Sequence, residues 1–220
     1  MKRNCIVYKI RRKLKGFASY ILHIEYLRKI YYWIILKRKL HLNNPLTFNE
    51  KIHWFILNAY PYNSLLIKCA DKYAVREYIK EKGLFNLLTT LHGSWDNANQ
   101  IYWLTLPDKF VLKCSHDCAY NILCTDKDII DKDKTIKQLN EWLGEDFGRF
   151  NLESHYSKIK EHKITSEEFL GDVSTNYKFF CFHGKSKFVY VSNDLMHDRQ
   201  AKISFYNLDG TLIPIVRDDS

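Results

Sequence analysis

From about residue 106 the chain is cut into short β-rich runs, FVLK, NILC, KITSEEFL, YKFFCF, KFVYVS and ISFYN, and this limits the folds open to it. One helical stretch, DKDKTIKQLNEWLGED, and turn signals at His183-Gly184 and Asp209-Gly210 separate them, which predicts hairpins. Upstream the periodicity is helical. Thr47 and Glu50 have capping-box spacing ahead of KIHWFILN, in which Ile52, Phe55, Ile56 and Ala59 recur at helical intervals. DKYAVREYIKEKG predicts a second helix from near Asp71, with an apolar stripe of Ala74, Val75, Tyr78 and Ile79 and a stop at Gly83. Helices followed by hairpins give the fold class α+β, and 220 residues are enough to bury a core.

Charge divides the chain further. Residues 1–40 hold twelve Lys/Arg against a single acid, Glu25, so this segment carries +11 of a total of +9 and the remainder sums to −2. A basic balance confined to one arm describes that arm's partners, and no nucleic-acid-binding motif or second basic face follows it. His23, Glu25, Arg28 and Lys29 interrupt GFASYILHIEYLRKIYYWIILK, so it lacks the ~18 uninterrupted apolar residues of a membrane span. The pattern predicts a basic amphipathic helix, lying on an anionic membrane surface or packed on its own domain. Three regions follow: a basic helical arm over 1–40, a helical region over 41–105 and an α+β region over 106–220.

The six cysteines read as reduced thiols in a chain with no cleavable signal segment, hence cytoplasmic. Cys114-Ser115-His116-Asp117-Cys118 has one-residue gaps that do not match the spacing of zinc sites.

NPLTFNEKIHW, CADKYAVREYI, LPDKFVLKCSHD, ITSEEFL and NYKFFCFHGKSKF, in this order and approximate spacing, resemble the TupA-like branch of the ATP-grasp superfamily over roughly residues 41–210. The resemblance implies Mg-ATP clamped between two α+β subdomains, and a carboxylate–amine ligase that forms an acyl phosphate for an amine to attack. It also implies a role in bacterial cell-surface polysaccharide synthesis (capsule, teichuronopeptide or lipopolysaccharide), acting on a lipid-linked or soluble intermediate at the inner face of the membrane. Lys113 would hold a phosphate oxygen, with His116 and Asp117 in the loop after it. Glu168 and Leu170 would pair with adenine through backbone groups, and Glu167 would orient the nucleotide. Lys178, a charge in an apolar central strand, and Arg199 are the candidate catalytic anion contacts.

Two departures from the family pattern stand out. Ala119 and Tyr120 occupy positions where the phosphate loop would carry glycines, which keeps the backbone from close approach to phosphate. The segment ISFYNLDGTLIP is followed by only six residues, where the family would continue into strands bearing Mg²⁺ ligands, so the sequence predicts an incomplete ATP-grasp-like fold, C-terminally truncated. Asp194, Asp198 and Asp209 are acids present in that region. A non-catalytic membrane-associated scaffold and a glycosyltransferase are the alternative readings, the latter without a D-x-D metal motif.

Overall fold

A computed structural model describes residues 14, 16–118, 120–171, 175–193 and 202–215. The chain forms two compact units, Met1–Phe169 and Leu170–Ser220. Arg199, Asp194, Asp198, Ala119 and residues 1–13 of the basic arm lie outside the described residues.

After a helical stretch over residues 16–21, four further helices follow among the described residues: α1 (Ile24–Leu36), α2 (Phe48–Asn58), α3 (Ser64–Ala70) and α4 (Ala74–Glu81). The helical pattern of the arm is broken at His23, which leaves helical geometry to cap α1, its Nδ1 accepting from the Glu25 amide at 3.4 Å. One side of α1 faces its own domain. Arg28 is buried there, its Nε donating to the Leu152 carbonyl at 2.7 Å and its Nη1 lying 2.6 Å from His53 Nδ1. Burial lowers the Arg28 pKa to about 10, against an opposing pull from Glu153. One cation of the basic arm is therefore a packing element, not part of an outward basic face.

The capping box forms as the spacing predicts. Glu50 N donates to Thr47 Oγ1 at 3.3 Å while Glu50 Oε2 accepts from Thr47 N at 2.9 Å, and the Leu46 and His41 amides also donate to the same carboxylate. These donors, the Thr47 amide foremost, hold the Glu50 pKa near 2. At the far end of α4, Gly83 adopts φ +73°, the left-handed geometry that a helix stop requires.

A four-stranded antiparallel sheet follows, with β1 (Leu91–Trp95), β2 (Phe110–Cys114), β3 (Asn121–Cys124) and β4 (Ile164–Glu168) in the order β1-β4-β2-β3. Helices α5 (Lys132–Leu143) and α6 (Phe147–Asn151) lie between β3 and β4 in sequence. Asp131 caps α5 by accepting from the Lys134 amide at 3.0 Å. Alternation along the strands gives the sheet two faces. Phe110, Leu112, Cys114 and Ile164 join Leu139 of α5 in the core, each of them 0% exposed. The opposite face carries Val111, Lys113, Thr165 and Glu167, because Val111 pairs with Glu167 and Lys113 with Thr165.

The second unit is a meander of β5 (Thr175–Phe182), β6 (Lys185–Asn193), β7 (Lys202–Asn207) and β8 (Leu212–Ile213) in chain order. His183 (φ 51°) and Gly184 (φ 75°) both take positive φ, as the two central residues of a type I′ hairpin turn must. The meander corrects one expectation. Among the described residues β5 is an edge of its sheet, not a central strand, and Lys178 is exposed, with Nζ 5.2 Å from the centre of the Tyr190 ring opposite it. Its charge therefore stays solvated and needs no buried partner.

Candidate functional site

Lys113 and Glu167 are diagonal neighbours across the β2/β4 ladder, a separation that long side chains span. Lys113 Nζ lies 2.7 Å from Glu167 Oε2, which also accepts from Thr89 Oγ1 at 3.1 Å. Arg76 of α4 approaches from another direction, its Nη1 3.7 Å from Glu167 Oε1 and its Nη2 donating to the Thr89 carbonyl at 2.5 Å. The carboxylate is 8% exposed and the lysine side chain 26%, so the acid is enclosed while the ammonium reaches solvent. Two cations around one carboxylate leave a net positive site, suited to an anion with several oxygens.

The turn after β2 is held by Lys72, just ahead of α4. Its Nζ donates to the Cys114 carbonyl at 2.9 Å, to Asp117 Oδ1 at 2.9 Å and to the Asp117 carbonyl, and its amide donates to Ser115 O at 2.9 Å. Asp117 is fully buried and accepts the Tyr120 amide at 3.0 Å. Three amides around the turn are engaged: Cys114 N donates to Tyr120 O, Ser115 N to Lys163 O, and Tyr120 N to Asp117 Oδ1. A phosphate-cradling nest presents free amides to its ligand. This turn instead gathers the Cys114 and Asp117 carbonyls onto the Lys72 ammonium.

His116 is 1% exposed and stacks on His162 with ring centres 3.6 Å apart and planes 3° apart. Its Nε2 donates to Glu145 O at 3.1 Å. Burial first, and the neighbouring His162 second, lower the His116 pKa to about 4, so the ring is neutral near pH 7. The thiols do not supply a nucleophile in the core of this region: burial pushes Cys114 up to about 12. Cys118 is exposed, with Sγ 2.9 Å from the Tyr156 hydroxyl.

The other sequence-derived candidates are dispersed. Glu168 ends β4, its amide donating to Thr90 O at 2.9 Å and its carboxylate accepting from Thr90 Oγ1 at 3.0 Å. Leu170 begins the second unit with an exposed side chain, and Lys178 lies on β5 of that unit. Asp209 is occupied locally, its Oδ1 accepting from the Thr211 amide at 2.9 Å and hydroxyl at 2.7 Å. Among the described residues no group of three or more His, Cys, Asp or Glu is arranged to hold a metal ion.

Lys72 and Arg76 are the site residues that the sequence reading overlooks. CADKYAVREYI shows an apolar helical stripe, and the two cations four residues apart look like its solvated side. In the structure Lys72 lies in the turn ahead of α4 and only Arg76 is on the helix, so helical spacing does not announce their roles.

No curated protein and no solved structure matches the chain. Its residues 50–219 match the TupA-like ATP-grasp family, a span that includes α4 with Arg76, the Lys113 strand, the Glu167 strand and the β5–β8 meander. The chain belongs to the TupA-like ATP-grasp family, within a superfamily of ATP-dependent ligase type.

Proposed function

We propose that the chain binds Mg-ATP against the Lys113–Glu167 face of the first sheet and serves an ATP-dependent carboxylate–amine ligation in cell-surface polysaccharide synthesis. The observation that carries this reading is the partly exposed Lys113 ammonium, set on a strand and held by an enclosed carboxylate beside a second cation. These residues fit a triphosphate: Lys113 and Arg76 exceed Glu167 by one positive charge, and Lys113 is accessible without unfolding the sheet. Mg-ATP supplies the phosphoryl group that activates a carboxylate toward an amine.

The chain's own groups divide the work. Lys113 holds a phosphate oxygen, exchanging part of its bond to Glu167 for one to the ligand. Glu167 keeps the Lys113 and Arg76 charges close together and oriented before nucleotide arrives. Lys72, Asp117 and the buried His116 fix the turn and thereby the end of β2. Glu168 and Leu170 offer backbone groups to adenine, and Lys178 and Arg199 remain the proposed anion contacts of the 170–220 unit. The direct test is the melting temperature of the chain with and without Mg-ATP. A rise with Mg-ATP, absent with Mg²⁺ alone, supports the site; an unchanged transition at millimolar nucleotide refutes it.

A second reading, attachment to an anionic membrane face where a lipid-linked intermediate would be met, rests on α1. No described helix is long and apolar enough to cross a membrane. Yet opposite the buried Leu27 and Tyr32, the exposed Tyr26, Ile30, Trp33 and Ile34 lie beside Lys29 and Lys37. An apolar helix face edged by lysines suits anionic lipid. The chain is expected to co-sediment with vesicles containing anionic lipid and much less with neutral ones, and Ile30→Ser/Trp33→Ser is expected to weaken this about tenfold or more. Equal recovery with both vesicle types would remove the membrane from the proposal.

A further inference from the structure

A cleft of about 800 Å³ opens in the first unit between the α3–α4 pair and the segment 158–163 that leads into β4. This is within the range of small-molecule sites. Six of its lining residues are basic and three acidic. The acids are largely spoken for. Asp71 accepts the Tyr73 and Ala74 amides at 2.7 and 3.1 Å, and Glu77 pairs with Lys68 at 2.9 Å. On the basic side, Lys163 pairs with Asp96 at 2.7 Å. Lys80, Lys158 and Lys160 are exposed and make no ion pair among the described residues. Three exposed lysines without an ion pair among the described residues thus border one concavity, against Glu161 as the remaining exposed acid.

The interior of the cleft is mixed. Ile67, Leu91 and the buried Ile159 give it apolar surface. Arg76 is shared: it lines the cleft while its guanidinium lies 3.7 Å from Glu167, the partner of Lys113. A ligand in the cleft would therefore sit one side chain away from the face proposed for the nucleotide.

We infer that this cleft is a second anion site, which takes a small phosphate-bearing molecule with two or more negative charges. Clustered lysines on flexible stems act as point charges and suit phosphate oxygens arriving in varied orientation. The apolar patch at Ile67 and Leu91 meets the uncharged part of the same molecule. That this ligand is the acceptor of the ligation rests on the nucleotide reading above; its binding in the cleft does not.

Isothermal titration of the full chain with inorganic pyrophosphate, without Mg²⁺, tests the site. Lys158→Glu/Lys160→Glu inverts two exposed charges and is expected to weaken pyrophosphate about tenfold or more. Lys134→Glu/Lys137→Glu on α5, a charge-matched control outside the cleft, is expected to bind as the unaltered chain does. Lys113→Ala is expected to keep the pyrophosphate site, and the cleft variant to keep its response to Mg-ATP. The inference is overturned if pyrophosphate does not bind, if the cleft variant binds it undiminished, or if the α5 control weakens it equally. It is also overturned if Lys113→Ala abolishes binding along with the cleft variant, since one nucleotide site would then explain both. Loss of the Mg-ATP response everywhere, with the pyrophosphate pattern intact, would remove the nucleotide reading and leave the cleft standing.

Discussion

Lys113→Met is expected to remove half or more of the thermal stabilisation that Mg-ATP gives the chain. Ligand at a hundred times its dissociation constant stabilises a folded protein by about 2.7 kcal/mol, which for a chain of this size raises the melting temperature by roughly 5 to 11 °C. A hydrogen bond from a charged group contributes about 1.5–3 kcal/mol, so its loss weakens binding by roughly 10- to 100-fold. At the same nucleotide concentration the remaining shift falls to between about half and about a seventh of the original. The fold itself should tolerate the change, because Glu167 keeps the Thr89 hydroxyl at 3.1 Å and Arg76 at 3.7 Å. A companion Glu167→Gln preserves shape while releasing Lys113 from its ion pair, and is expected to retain a measurable shift. If Lys113→Met responds to Mg-ATP as the unaltered chain does, the nucleotide is held elsewhere.

The largest loss of stability is expected from Lys72→Met. Asp117 is 0% exposed, and Lys72, 27% exposed, is its cationic partner at 2.9 Å as well as the donor to two turn carbonyls. Removing one member of a buried pair strands the other, at a cost of about 3–5 kcal/mol. Asp117→Asn keeps an oxygen for the Tyr120 amide and discards the charge, so the double variant Lys72→Met/Asp117→Asn is expected to recover a substantial part of that loss. Urea denaturation of the two single variants, the double variant and the unaltered chain closes the cycle. A Lys72→Met effect within about 0.5 kcal/mol, the scale of an ordinary surface substitution, would show that water compensates Asp117 and that the turn does not depend on this lysine.

Local chemistry explains what could be read from the residues alone. Thr47 and Glu50 announce their own helix start, and His183-Gly184 announces a hairpin, because the groups that interact lie within a few positions of each other. Lys113 stands out by interrupting an apolar strand. The long-range contacts are silent in the sequence. Lys72 and Asp117 are separated by 45 positions and Lys113 and Glu167 by 54, and nothing in either stretch names its partner. His116 and Asp117 look like exposed loop residues, whereas both are buried, since the turn folds inward onto Lys72 and His162. Arg28 reads as part of a basic face until Leu152, 124 positions later, supplies the carbonyl that receives it. Likewise, no periodicity reveals that β4 inserts between β1 and β2, or that the two units part between Phe169 and Leu170, within the ITSEEFL run.

The edge position of β5 has a consequence for how the protein behaves at high concentration. TNYKFFCF has no proline, is rich in aromatic residues, and exposes Tyr177, Phe179 and Phe182 along the border of its sheet. Such a border is a template on which the same strand of another copy can align, and continued pairing of this kind builds fibrillar aggregates. Lys178 is the one charge in the segment, set between Tyr177 and Phe179. In an in-register stack of copies these ammonium groups would face each other every ~4.8 Å, a repulsion that disfavours growth. An exposed lysine at this position disfavours such self-association.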